Sequence, residues 1–297
     1  MSVTRHNSRQ RSAQQVSYIV EKSLPWRLQV GVPAPSISGD VFGYSGYEEH
    51  VTRPVRRLEI GTPYPTLIIG LGSEFRVSPI SSRSTFTCQS LFVGPATSPV
   101  TVEHGGELRC VEVTLSPWAA AAIFGPARGW PEHVASLKEV WQRAGGELEE
   151  SLAGLPSWAA RFEMLDHILG VEISPTCGPP SKLRWAWNEL SHLGGDARVN
   201  KLAASLGWSA RHFISKFEEI AGLTPKTQAR RWRFHKARTY LDQTSLSLAE
   251  VAALCGYSDQ SHLTREFQEL GSCTPAAYRA VRFSDLPGLP AEANEAK

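Results

Sequence analysis

The chain has 297 residues, 41% of them hydrophobic, with 31 Lys and Arg against 29 Asp and Glu. That is length for about two domains and enough apolar residue for packed cores, which excludes wholesale disorder. A net charge of +2 excludes a uniformly basic nucleic-acid coat, so a basic surface must be local. The cysteines, Cys88, Cys110, Cys177, Cys255 and Cys273, are odd in number, widely spaced and without a C-x-x-C pair. They argue against a zinc site or disulfide framework and read as reduced, mostly buried thiols.

In chain order, residues 1–24 are basic and polar with no apolar h-region, so they read as a disordered tail rather than a signal peptide. No run reaches about 18 apolar residues, so no membrane span is expected and the predicted location is the cytoplasm. From about Pro25 to Pro117 the pattern favours strands. "TLIIGLG" is a short apolar run ending in glycines, and in "CVEVTLS" Val111, Val113 and Leu115 alternate with Glu112 and Thr114, the period of a half-buried strand. Turn signals at "GTPYP", "SPISS", "GPATSP" and "EHGGE" separate the runs, which predicts a small barrel or sandwich.

From Ser116 the period becomes helical. "SPWAAAAIFG" has a Ser cap, Pro at the first helical position and a closing Gly, and "SWAARFEMLDHILG" follows. In the latter, Phe162, Leu165 and Leu169 can serve a dimer contact or pack on their own barrel. "SPTCGPPS" reads as a linker over residues 174–181, dividing a β-rich domain (25–173) from an almost wholly helical one (182–282), with a flexible tail at 283–297. The predicted class is α+β.

The helical part holds a repeat. "LAASLGWSARHFISKFEEIAGLTP" parallels "VAALCGYSDQSHLTREFQELGSCTP". Gly207-Trp208-Ser209 corresponds to Gly256-Tyr257-Ser258, Phe213, Phe217 and Ile220 to Leu263, Phe267 and Leu270, and Thr224-Pro225 to Thr274-Pro275. Each unit has helix-turn-helix grammar. A short apolar helix leads in through Leu202, Ala203 and Leu206, or Val251, Ala252 and Leu254. A glycine turn follows, and Ser209 or Ser258 is the expected cap of the second helix. Ser247 and Glu250 form a capping-box pattern.

On the outer face of the second helices lie Ala210, Arg211, Ile214, Ser215 and Glu218, and Gln260, Ser261, Thr264, Arg265 and Gln268. In a major groove Arg takes guanine, Gln takes adenine, Ser and Thr serve several edges, and an aliphatic side chain meets a thymine methyl. Between Ser181 and Arg282 there are fifteen Lys and Arg against nine Asp and Glu, so the basic part of the chain is where the repeats are. "PKTQARRWRFHKARTYLDQ" predicts a connecting helix of about 17 residues, about 25 Å long, able to hold the reading helices near the ~34 Å spacing of successive major grooves. Its Arg230, Arg231, Arg233, Lys236 and Arg238 suit phosphate contact, internal salt bridges or plain solvation equally.

Residues 183–281 resemble the DNA-binding domain of AraC-type transcriptional regulators through the paired units, the connecting helix, "GLTP" and the closing "GSCTPAAYR", which carries one extra residue relative to the family's ending. The resemblance implies Arg211, Ile214, Ser215, Gln260, Ser261, Thr264 and Arg265 as base readers. It implies Ser209, Lys216, Ser258 and Arg279 as phosphate contacts, while Tyr278 packs. It implies double-stranded DNA and RNA polymerase as partners, activation of transcription, no cofactor, and a cupin-like β-rich domain that takes a small-molecule effector or forms a homodimer. Tyr44, Tyr47, Trp118 and Trp130 are candidate effector residues. The alternatives are a constitutive DNA binder whose first domain only dimerises, and a metal-dependent cupin-type enzyme. For the latter, His104 and Glu107 form the only local cluster and fall short of a ligand set, with His50 and His133 isolated. No cysteine cluster suits a methyl-accepting repair protein and no nucleophile elbow appears, so a non-enzyme is expected.

Overall fold

The computed structural model describes residues 25–80, 85–95, 98–130, 134–141, 145–173, 181–193, 199–280 and 289–290. The predicted N-terminal tail, most of the linker with Cys177, and His133 lie outside them. Strands fill the first hundred residues: β1 (Trp26–Gly31), β2 (Val41–His50), β3 (Val55–Glu59), β4 (Thr66–Gly70), β5 (Phe75–Pro79), β6 (Phe86–Cys88), β7 (Leu91–Val93), β8 (Val100–His104) and β9 (Glu107–Leu115). After these come α1 (Pro117–Phe124), β10 (Ala135–Ser136), α2 (Leu137–Val140), α3 (Gly145–Ala153) and α4 (Trp158–Glu172). One antiparallel sheet runs β1-β2-β9-β4-β7-β10; the other holds β3-β8-β5-β6. At its edge Leu289–Pro290 (β11) pairs with β3, inside the stretch expected to be a flexible tail.

Strand parity decides what each face does. Val111, Val113 and Leu115 are fully buried against the helical layer of α1 to α4, with Tyr44, Leu165 and Leu169 in the same core. Glu112, expected to meet solvent, instead lines a cavity of about 330 Å³ between the sheets, with Tyr47, Glu59 and Cys110. The period of two was legible; the second face is an interior void rather than bulk water. The helix α4 lies close on β2, where a Cβ at Gly46 would come within 2.4 Å of Trp158. Phe162, Leu165 and Leu169 are buried there, on their own barrel, so they are not a dimer contact.

The remaining helices are α5 (Ser181–His192), α6 (Val199–Ser205), α7 (Ala210–Ala221), α8 (Pro225–Gln243), α9 (Leu248–Leu254), α10 (Gln260–Gly271) and α11 (Pro275–Ala280). The connecting helix α8 has 19 residues, about 28 Å at 1.5 Å per residue, slightly longer than the estimate from the sequence. It serves two cores. Trp232 packs with Trp187, Leu202, Phe213 and Phe217 of the first unit. Phe234, Ala237 and Leu241 pack with Val251, Leu263 and Phe267 of the second.

Candidate nucleic-acid interface

Each helix-turn-helix unit closes through the same local bonds. Gly207 and Gly256 sit at φ 69° and 74°, the left-handed region that glycine enters without penalty. Just beyond, Trp208 N donates to Ala203 O and Tyr257 N to Ala252 O, both at 2.9 Å. The aromatic after each glycine packs edge-on against a histidine of the following helix, Trp208 on His212 and Tyr257 on His262. A cation covers each ring: Lys182 lies 5.5 Å from the Trp208 centroid and Arg233 5.2 Å from that of Tyr257.

The units differ by one residue in this turn. Ser209 caps α7, accepting from His212 N at 3.2 Å. The cap of α10 is Asp259, not Ser258: its Oδ1 accepts from His262 N at 2.7 Å. From Gly207 to Phe213 is six residues and from Gly256 to Leu263 seven, and the extra one pushes the cap forward. Ser258 instead bonds Asp259 and His262 through its hydroxyl. One residue before each glycine, buried Cys255, not Leu254, is the counterpart of Leu206; Leu254 is exposed. The capping box of Ser247 and Glu250 is formed on α9 as expected.

The outer strips of α7 and α10 reach solvent. Arg211, Ser215, Gln260, Ser261, Arg265 and Gln268 are exposed, while Ile214 and Thr264 are half-buried. The Thr264 hydroxyl donates back to Gln260 O at 3.0 Å, so it meets a base edge only through its remaining lone pair or after rotation. Lys216 holds Glu219 at 2.9 Å on the surface, a pair weak enough to yield to a phosphate. Arg279 is half-buried, with Nε and Nη2 enclosed without a hydrogen-bond partner. Tyr278 packs on Phe267, and its hydroxyl donates to Asp242 at 3.0 Å.

The cations of α8 are engaged by the protein. Arg230 bonds Glu266 and Glu269 of α10. Arg231 is largely enclosed, and burial, with Arg230 beside it, pushes its pKa down to about 10. Lys236 donates to Leu254 O at 3.0 Å, completing the end of α9. Arg238 reaches out of the domain to Ile60 O at 3.1 Å and Gly61 O at 3.2 Å.

That last contact belongs to an interface the sequence did not reveal. Fully buried Gln228 donates to Pro63 O at 2.8 Å. Leu58 and Ile60 enter the core of the second unit. Tyr64 packs edge-on against Trp232. Trp118 joins the core of the first unit, edge-on to Trp187, with Arg184 over its face and its indole N–H on Asp40 at 2.6 Å.

The four aromatic effector candidates are scattered accordingly. Tyr44 faces the helical layer, stacked on Phe162 with its hydroxyl on Asp166. Three residues on, Tyr47 points to the opposite face of β2 and lines the cavity. Trp118 is at the domain boundary, and Trp130 packs on Phe92 and donates to Gly125 O. His104 and Glu107 do not converge: buried His104 lies against Arg57 and Glu49, whereas exposed Glu107 pairs with His50. Among the described residues no group of three or more His, Cys, Asp or Glu is arranged for a metal, and no helix is long and apolar enough to cross a membrane.

A helix-turn-helix domain model matches residues 202–280. The HTH-type transcriptional activator RhaS of Pectobacterium carotovorum subsp. carotovorum (strain PC1) is 26% identical over 186 residues, 57% of this chain and 65% of the relative; the chain thus spans just under two thirds of that protein's length. A transcriptional regulator structure with AraC-type DNA-binding domains from Chromobacterium violaceum is 26% identical, covering 35% of this chain and 94% of that one at a TM-score of 0.33. The DNA-binding domain of AdpA in complex with a target DNA is 32% identical, covering 34% of this chain and 88% of that one at a TM-score of 0.30. These relatives are transcription regulators, and residues 202–280 of this chain are a helix-turn-helix domain similar to those of AraC-type regulators.

Proposed function

We propose that the protein is a sequence-specific transcription regulator that sets α7 and α10 into successive major grooves of double-stranded DNA, and that a small-molecule effector in the β-rich domain modulates it. The observation that carries this reading is the exposed strip of Gln260, Ser261, Arg265 and Gln268 on α10, repeated on α7 by Arg211 and Ser215, on units with the same turn and core. Ser209, Lys216, Ser258 and Arg279 flank these strips as phosphate contacts. The RhaS relative is named as an activator and the AdpA domain was crystallised on its target DNA; activation, a cytoplasmic location, contact with RNA polymerase and dimerisation come to this chain as parts of the same proposal. The cavity between the sheets favours an effector over a first domain that only dimerises.

The test begins by selecting binding sites from random-sequence DNA with the full chain, then titrating variants on selected and scrambled DNA at two salt concentrations. Arg265→Ala is expected to cost about 1–3 kcal/mol on the selected site and to relax preference at one base position. Lys216→Ala is expected to weaken binding to both DNAs and to lower the salt slope by about one. Equal loss on both DNAs for Arg265→Ala would assign that side chain to the backbone, and no loss on either would make the strip a solvated helix face.

A further inference from the structure

The cavity between the sheets contains two carboxylates that form no ion pair with the arginines near them. Glu59 enters from β3 of one sheet and Glu112 from β9 of the other. Both line the void, where Glu59 keeps an exposed surface and Glu112 a partly exposed one. Burial pushes both carboxyls upward, with Arg57 and Arg238 opposing at Glu59 and Arg238 alone at Glu112. Neither glutamate has a hydrogen-bond or ion-pair partner among the described residues. The nearby cations are engaged elsewhere: Arg57 bonds Glu49 and the Tyr47 hydroxyl, and Arg238 is held by the Ile60 and Gly61 carbonyls. Carboxylates drawn into a protein cavity without a partner cost stability. Two of them across one void, whose lining cation Arg57 is already bonded to Glu49 and Tyr47, make a site that favours added positive charge.

The rest of the lining supplies an apolar body for such a charge. Leu28, Ile68, Val93 and Leu108 are among its walls, with the rings of Tyr47 and Phe75. An anion would add a third negative charge here, and a neutral ligand would leave both carboxylates unbalanced. A volume of about 330 Å³ is at the small end of small-molecule sites.

The wall of this cavity is also the dock of the DNA-binding domain. On β3, Arg57 and Glu59 point inward while Leu58, of opposite parity, enters the core around Phe234 and Phe267. Ile60 lines the void and packs on that core, and Gly61, which also lines the void, gives its carbonyl to Arg238 of α8. Pro63 takes the side chain of Gln228. A ligand pressing on Glu59 or Ile60 therefore pushes on the helix that carries both reading units.

We propose that the ligand is a small organic cation, an alkyl- or arylammonium or a guanidinium, held between Glu59 and Glu112, and that its occupancy reaches α8 through residues 58–63. This rests on the β-rich domain being the sensor. The test uses the full chain and three probes of one shape, hexylammonium, hexanol and hexanoate, in calorimetric titrations at neutral pH up to millimolar concentration. Hexylammonium is expected to bind about tenfold or more tightly than hexanol, with hexanoate weakest. In Glu59→Gln/Glu112→Gln the preference is expected to vanish while the unliganded variant melts at or above the parent temperature, since the uncompensated charges are gone. Hydrogen exchange is expected to show altered protection at 58–63 and along α8 when hexylammonium binds. Tighter binding of hexanoate or hexanol overturns the cation class and leaves the sensor reading standing. Binding by none of the three overturns the sensor pocket itself, independently of the DNA titrations. A lower melting temperature for the double variant shows that the carboxylates have structural partners and overturns the proposal, and unchanged exchange at α8 overturns the route to the DNA-binding helices.

Discussion

Arg230→Ala separates the two roles an arginine on α8 can have. Its Nε donates to Glu266, and its two Nη groups hold Glu269, with Nη1 to Oε1 at 2.7 Å. Glu266 is 5% exposed, and its second oxygen is buried without a partner. Removing the guanidinium leaves that carboxylate alone in the core of the second unit. Breaking a fully buried pair costs about 3–5 kcal/mol. The Arg230 side chain is 30% exposed, so water takes up part of the loss and about 3 kcal/mol is expected. The exposed arm to Glu269 adds at most a few tenths. Arg230→Ala/Glu266→Gln should recover most of the loss because the stranded charge is absent. The Arg230 hydrogen bond holds the Glu269 carboxyl below its usual range. That part of the stability is present above an unfolded carboxyl value of about 4.3 and is lost as pH falls below it, so the variant should show a flatter acid limb. Urea melts of parent, single and double variants across pH give these numbers, and DNA titrations at two salt concentrations complete the test. If stability is unchanged and the salt slope falls by about 0.9, Arg230 is a phosphate contact and the internal ion pair contributes nothing.

Asp259→Ala should destabilise the second unit through loss of the α10 cap, whereas Ser258→Ala should leave the melting temperature nearly unchanged; the reverse order in thermal melts would return the cap to Ser258. A fragment beginning at Ser181 should fold as helix and retain DNA affinity, with lower stability than the full chain because Leu58, Ile60 and Trp118 are taken from its two cores; a fragment without helical circular dichroism would place the domain boundary elsewhere. The full chain should dimerise through its β-rich part, which light scattering at micromolar concentration checks, and a monomer both with and without DNA would count against it.

Periodic and capped features were legible in the sequence because they depend on neighbours a few residues away. The stripes of Phe213 and Phe217, or Leu263 and Phe267, the glycine turns, the capping box at Ser247 and the alternation of Val111, Val113 and Leu115 are all of this kind. What failed depended on register or on distant chain. One extra residue between Gly256 and Leu263 moved a cap from Ser258 to Asp259, and counting back one residue from each glycine pairs Leu206 with Cys255 rather than Leu254; both are visible by counting across the repeat. Nothing near Gln228 marks it as buried against Pro63, some 165 residues earlier. Glu112 is polar at the expected position of an alternating strand, and its place in a cavity follows only once the second sheet faces it.

The burial pattern of α8 explains how two small helix-turn-helix units can act as one reader. Each unit alone has a core of a few side chains, and small cores are marginal. Trp232 completes one and Phe234, Ala237 and Leu241 complete the other, so neither forms fully without the shared helix. The angle and spacing of α7 and α10 are therefore set by where those residues fall along a single rigid rod, and the Arg230 bonds to Glu266 and Glu269 fix α10 to it laterally. The β-rich domain holds the same rod at Gln228 and Arg238, on both sides of Trp232 and Phe234. On the proposed reading, a displacement of the loop at residues 60–63 would move the rod as a whole, and with it α7 and α10, through the bonds at Gln228 and Arg238. If α7 and α10 enter successive grooves as proposed, a change inside the barrel would alter how well the two match them while each continues to fit its own.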